Sequence, residues 1–152
     1  MTIHLKEITK DNWEECVLLK VSKEEERFVA PNVFSILQSQ YEPDKVPLAV
    51  YNDETMVVFL MYGRDPEDGR YWILRLMIDK NYQRQGFGKA ALLEVIKLVK
   101  SFPDCSVDLT ISYKPDNEVA NRLYTSVGFT KTGEILGDIY KKYEVVARLI
   151  LK

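Results

Sequence analysis

The chain has 152 residues, 46% of them hydrophobic, enough to bury one sizeable core and too few to imply two, so residues 1–152 read as one domain. Lys plus Arg number 21 against 23 acidic residues, a formal charge of −2, and no stretch interleaves basic and aromatic residues; no nucleic acid or membrane partner is expected, and small molecules or proteins remain. Cys16 and Cys105 form no CxxC pair beside the single His4, the longest apolar run (Met56 to Tyr62) is too short to span a bilayer, and the amino terminus lacks signal-peptide character, so the reading is a cytoplasmic protein without a metal site.

Ile3 to Thr9 alternates apolar and polar residues as a strand with one wet face does. Asp11 is placed to cap a helix over Asn12 to Val21, with Trp13, Cys16, Val17, Lys20 and Val21 on one stripe. Pro31 opens a second helix through Tyr41 that stops before Pro43, and Glu24, Glu25 and Glu26 lie between the two helices. Two apolar runs, VPLAVYN and TMVVFLMYG, flank the turn residues Asn52-Asp53-Glu54 as a hairpin, and after the turn RDPEDG a third strand covers Arg70 to Asp79.

From Gly88 to Ser101 the residues Ala91, Leu92, Val95, Ile96 and Val99 recur at helical spacing, and Pro103 ends that helix. SVDLTISY alternates as a strand, Asp116 is placed to cap a helix through NEVANRLYTSV, and Gly128 closes it. The tail IYKKYEVVARLI reads as a final strand, long enough to pair across a two-fold axis in a homodimer. The resulting order, β-α-α-β-β-β-α-β-α-β-β, is an α/β fold with a mixed sheet and helices on its faces.

The junction QRQGFGK, Gln83 to Lys89, joins a strand to a helix amino terminus. Free backbone N–H groups and a positive dipole end converge there, which makes an anion site. Gly86 and Gly88 allow close approach of a diphosphate and a turn of positive φ. Gln83, Arg84, Gln85 and Lys89 are suited to phosphate oxygens. The spacing fits neither GxxxxGK[ST] nor GxGxxG.

LMIDKNYQRQGFGKAALL resembles the Q/R-x-x-G-x-G/A motif of the GNAT N-acetyltransferases, and Asn117 to Phe129, NEVANRLYTSVGF, resembles that superfamily's N-x-x-A-x-x-L-Y-x-x-x-G-F block. The resemblance covers nearly the whole chain and implies the acyl-CoA N-acyltransferase fold, with acetyl-CoA as co-substrate. It further implies that amides of Arg84, Gln85, Gly86, Phe87, Gly88 and Lys89 bind the phosphates. Leu76, Met77 and Ile78 would pair with the pantetheine arm as an added strand would, and Asn117, Asn121 and Tyr124 would meet the cofactor from the following helix.

Acetyl transfer to an amine needs donors for the oxyanion and an acid for the thiolate. Tyr124 is the candidate acid, and the N–H of Met77 or Ile78 the oxyanion donor. Arg75 stands where some relatives carry a carboxylate and cannot accept a proton, so the base is expected in a water-linked carboxylate elsewhere, or the amine sheds its proton on entry. The resemblance puts the acceptor between the first two helices and the loop before the glycine strand. Those stretches read SKEEERF and RDPEDG, and their carboxylates suit a polycation, with Glu24, Glu25 and Glu26 as substrate contacts. The whole sequence is similar to bacterial spermine/spermidine acetyltransferases. The alternatives are another amine (an aminoglycoside, an amino acid or a protein amino terminus) or a domain that binds acyl-CoA without turnover.

Overall fold

The stretches Leu48–Tyr51 and Met56–Met61 are buried at every position, which demands cover on both faces of the strands they form. The computed structural model describes residues 1–137 and 143–152 and supplies that cover with helices on both sides of one sheet. Its strands are β1 (Ile3–Glu7), β2 (Lys45–Asn52), β3 (Thr55–Arg64), β4 (Tyr71–Ile78), β5 (Asp108–Tyr113), β6 (Thr130–Leu136) and β7 (Glu144–Ile150). Its helices are α1 (Trp13–Leu18), α2 (Asn32–Tyr41), α3 (Phe87–Lys100) and α4 (Glu118–Ser126), in the order anticipated above. Among the described residues no helix is long and apolar enough to cross a membrane.

The sheet runs β1-β2-β3-β4-β5-β7-β6. Strands β1 to β4 are antiparallel neighbours, and β4 and β5 are parallel. The β2–β3 hairpin turns on Asp53 and Glu54, with Asp53 at a φ of 54° that Asp tolerates better than most residues. One core layer lies under α3 and α4 and includes Leu60, Leu92, Val95, Leu109 and Ile111. The other lies toward α1 and α2 and includes Cys16, Ala49, Phe59, Met61 and Met77.

Three anticipated boundaries change, each for a stated reason. Helix α1 ends at Leu18 and not Val21, because Leu19 turns extended and Lys20 is captured: its N–H donates to Asp79 Oδ1 at 2.8 Å and its carbonyl accepts from Lys80 N–H at 2.7 Å. Asp11 does not cap it; Asn12 precedes the helix, its Oδ1 accepting from Thr9 N–H at 2.7 Å. At α4 the cap is Asn117, whose Oδ1 accepts from Ala120 N–H at 3.2 Å, while Asp116 pairs with Arg27 at 2.8 Å.

The tail strand is shorter than anticipated. Residues 139–142 of it lie outside the described residues, and β7 begins at Glu144. It is also no edge: β5 covers one side and β6 the other, so pairing of this strand across a two-fold axis is unavailable, and the open edges belong to β1 and β6.

Cys16 is fully buried, and burial first, then Glu15, pushes its thiol up to about 12. Because the thiolate is the reactive form, Cys16 should stay inert to an aromatic disulfide reagent at about pH 8 until denaturant is added. Rapid labelling of Cys16 in the native protein, located by peptide mapping, would show that α1 does not seal this face.

Candidate active site

Strands β4 and β5 pair only where Tyr71 meets Leu109 and Trp72 meets Thr110. Beyond these residues they part, leaving a wedge open toward the carboxyl ends of both. Leu74 is an extra residue in β4, since Met61 of β3 faces Arg75 while Tyr62 faces Ile73.

The Asp79 amide donates to the Val57 carbonyl at 3.0 Å. Alternation along an antiparallel ladder then makes Phe59 and Met77 a hydrogen-bonded pair, and Val58 and Ile78 a non-bonded one. Leu76 and Ile78 therefore turn their main-chain groups toward the wedge, and Met77 turns its own toward β3. Of the two anticipated oxyanion donors, the ladder presents Ile78. Gln83 does not reach for phosphate, because its Nε2 donates to the Ile78 carbonyl at 3.0 Å.

The loop that follows leads straight into α3. Arg84 has a φ of 64° and Gly86, the cap residue of α3, a φ of 84°. The first intrahelical bond is Ala90 N–H to Gly86 carbonyl at 3.1 Å, and among the described residues no acceptor takes the amides of Arg84, Gln85, Gly86, Phe87, Gly88 or Lys89. No acidic side chain stands in the first turn, and Arg84, Gln85 and Lys89 are exposed. This is a positive, donor-rich pole at the end of the wedge.

The two glycines serve different ends. Gly86 supplies the left-handed turn, whereas a Cβ on Gly88 would lie 3.1 Å from Ile78 Cδ1 and 3.5 Å from Leu123 Cδ2. Gly88 is thus the point where β4, α3 and α4 close on one another.

From α4, Tyr124 faces inward, its ring 5.5 Å from that of Tyr113 and 5.7 Å, edge-on, from that of Phe129. Burial pushes its phenol well above the ordinary tyrosine value, with Tyr113 and Glu144 adding to the shift. Asn121 accepts from the Tyr113 hydroxyl at 2.8 Å through Oδ1, and the Oδ1 of Asn117 is occupied as the helix cap. Both asparagines stand beside the wedge with their carbonyl oxygens already engaged.

Glu24 and Glu25 sit in a single 3-10 turn, Lys23–Glu25, with Glu26 just after it. Glu25 Oε1 accepts from Ser22 Oγ at 2.7 Å, while Glu24 and Glu26 are exposed. Lys20 ties this segment to the end of β4, and Arg27 ties it to Asp116 before α4, so the acidic turn spans the mouth of the wedge. The RDPEDG carboxylates do not join it. Their turn lies at the opposite end of β4, where Asp65 Oδ1 accepts from Glu67 N–H, Asp68 Oδ1 accepts from Arg70 N–H and Arg64 pairs with Asp104.

Tyr113, Ser112 and Glu144 escape the sequence reading, which includes Arg75 only as a residue that cannot accept a proton. Tyr113 both stacks on Tyr124 and holds Asn121. Ser112 and Glu144 form a pair, Oγ to Oε1, at 2.8 Å. Arg75, on the α2 side, donates to Gln38 Oε1 at 3.2 Å and to the Leu74 carbonyl at 3.0 Å. Burial lowers its pKa, with Glu144 and Glu42 opposing the shift. A glutamate heading the apolar strand EVVARLI was the one visible signal for Glu144.

A family model described as Acetyltransferase (GNAT) family matches residues 5–129. A curated relative, the spermine/spermidine N(1)-acetyltransferase of Bacillus subtilis (strain 168), is 30% identical over 141 residues, covering 89% of this chain and 92% of its own. Among solved structures, a ribosomal alpha-N-protein acetyltransferase in complex with coenzyme A superposes with a TM-score of 0.79 at 15% identity, over 99% of this chain and 94% of that one. An aminoglycoside N(6')acetyltransferase from Legionella pneumophila subsp. pneumophila str. Philadelphia 1 does so with a TM-score of 0.75 at 17% identity, over 98% and 92%.

Proposed function

The chain belongs to the GNAT acetyltransferase family, an N-acetyltransferase family that uses acetyl-CoA, and from that premise we propose that residues 1–152 act as a single catalytic domain acetylating a polyamine such as spermidine or spermine. The observation that carries this reading is the junction of an unpaired β4 edge with a helix amino terminus whose amides have no acceptor among the described residues. That edge suits an extended amide-bearing arm, and the pole suits a diphosphate. The open backbone at Gly86 leaves room for close approach, since among the described residues only Met1 Cε comes within 4 Å of a Cβ built there.

In this reading acetyl-CoA supplies an activated thioester. The amides of Arg84 to Lys89 hold its diphosphate, with Leu76 and Ile78 along the arm and Asn117 and Asn121 beside it. The Ile78 N–H donates to the carbonyl oxygen as negative charge develops. The Tyr124 phenol, kept protonated by its burial, gives its proton to the departing sulfur.

The polyamine assignment rests on the acidic turn Glu24, Glu25 and Glu26 at the wedge mouth and on the 30% identical relative. One observation favours a second acceptor class: Arg75, a half-buried cation beside the wedge, would hold the carboxylate of an amino acid. A thiol-release assay with acetyl-CoA separates the two. Spermidine or spermine should exceed an aminoglycoside, free amino acids and a peptide amino terminus by about tenfold or more in kcat/KM. An amino acid ranking first would transfer the assignment to the second class, and CoA binding without turnover of any amine would reduce the domain to a sensor.

A further inference from the structure

We propose that Glu144, at the head of β7, takes the proton of the incoming amine. This rests on the acetyl-transfer reading above and supplies the acceptor that β4 lacks.

The placement follows from strand register. Ser112 and Val146 are opposite each other in the β5–β7 ladder, and Thr110 and Arg148 likewise, so these side chains share one face. Glu144, two residues before Val146, lies on that face too, and its 2.8 Å bond from Ser112 Oγ confirms the alignment. Continuing the β4–β5 register past the extra residue Leu74 sets Arg75 level with Ser112. At that level the strands have already parted. The Glu144 carboxylate therefore stands on the β5–β7 bank of the wedge and Arg75 on the β4 bank, on the side facing α2.

Among the described residues, the groups its charge reaches are Arg75 on β4 and the Tyr124 phenol on α4, and Ser112 bonds it from β5. From β6 it meets Leu136, which carries no charge. Oε1 is held by Ser112, and Oε2 has no hydrogen bond among the described residues. Three other carboxylates around the wedge are committed elsewhere. Asp79 accepts from Lys20 N–H with one oxygen and from Asn81 N–H with the other. Glu25 holds Ser22, and Glu42 pairs with Lys45.

The step balances as follows. The substrate ammonium gives one proton to Glu144 Oε2, which passes it to solvent. The neutral nitrogen then forms the N–C bond as the C–S bond breaks. Tyr124 protonates the sulfur, and the second proton leaving the nitrogen restores the phenol.

The test compares wild type, Glu144→Gln and Ser112→Ala with acetyl-CoA and spermidine, or the fastest amine of the panel above, from about pH 6 to 9.5, with CoA affinity measured by calorimetry. Glu144→Gln should lower kcat by about 10²-fold near pH 7 without changing CoA binding, and the deficit should shrink as pH rises because more amine arrives neutral. Ser112→Ala, which removes the hydroxyl that fixes the carboxylate, should show a smaller deficit of the same pH shape. It also serves as the measurement if Glu144→Gln does not fold. A kcat within threefold of wild type, a deficit independent of pH, or one confined to KM would overturn the assignment while leaving acetyl transfer intact. If the wild type binds CoA and acetylates no amine, the enzymatic reading falls and this inference with it.

Discussion

Tyr124→Phe should lower kcat for amine acetylation by about 10²- to 10⁴-fold, the range over which a positioned proton donor contributes, with CoA affinity nearly unchanged. The ring is held between Tyr113 and Phe129, and phenylalanine keeps that packing, so a loss of kcat isolates the hydroxyl. The folded-state pKa lies above the ordinary tyrosine value, mainly through burial. A group raised in this way contributes stability that is fully present below about pH 10 and is lost as pH climbs past that point. The donor therefore stays loaded throughout the working range. Ultraviolet difference titration of wild type against Tyr124→Phe should reveal no Tyr124 ionisation below about pH 10. An ionisation below that point, or a variant that retains full kcat, would remove Tyr124 from the acid role.

The contrast between Tyr124 and Glu144 shows which parts of the site are legible in the sequence. Tyr124, Asn117, Asn121 and the run Arg84 to Lys89 fall in two short blocks whose spacing is set by one helix or one turn, so local periodicity puts them on a common face. Glu144 reaches Ser112 across 32 positions of sequence, and only the β5–β7 register brings them together. Local pattern carries no such register. The choice of Ile78 over Met77 has the same origin: it depends on which β3 residue bonds to which β4 residue, and the extra Leu74 changes the facing of everything beyond it. The placement of RDPEDG is legible from connectivity alone. A hairpin between β3 and β4 must sit at the opposite end of β4 from the junction with α3, so its carboxylates could never have met Glu24 to Glu26 at the mouth of the wedge.

Gly86→Asp should separate cofactor binding from stability more cleanly than any other change in the glycine loop. The α3 amino terminus carries no side-chain cap and no acidic residue in its first turn. Aspartate at that position complements the helix dipole, worth roughly 0.3–1 kcal/mol. Against that stands the φ of 84°, where a side chain costs about 1–2 kcal/mol, a cost at the lower end for Asp. The two partly cancel, and Tm should move by no more than a few degrees. The same carboxylate would stand where the diphosphate binds. At about 5 Å and an effective dielectric constant of about 20, one unit of like charge costs roughly 3 kcal/mol, so the Kd for CoA should rise by about 10²-fold. Gly88→Ala supplies the contrast, because its Cβ meets Ile78 Cδ1 at 3.1 Å and the Ile78 side chain must give by a few tenths of an ångström where β4, α3 and α4 close on one another, so its effect should appear in Tm as well as in binding. Calorimetry with CoA beside thermal unfolding reads both quantities, and a Gly86→Asp protein that folds and binds CoA as tightly as wild type would show that the phosphates are held somewhere other than these amides.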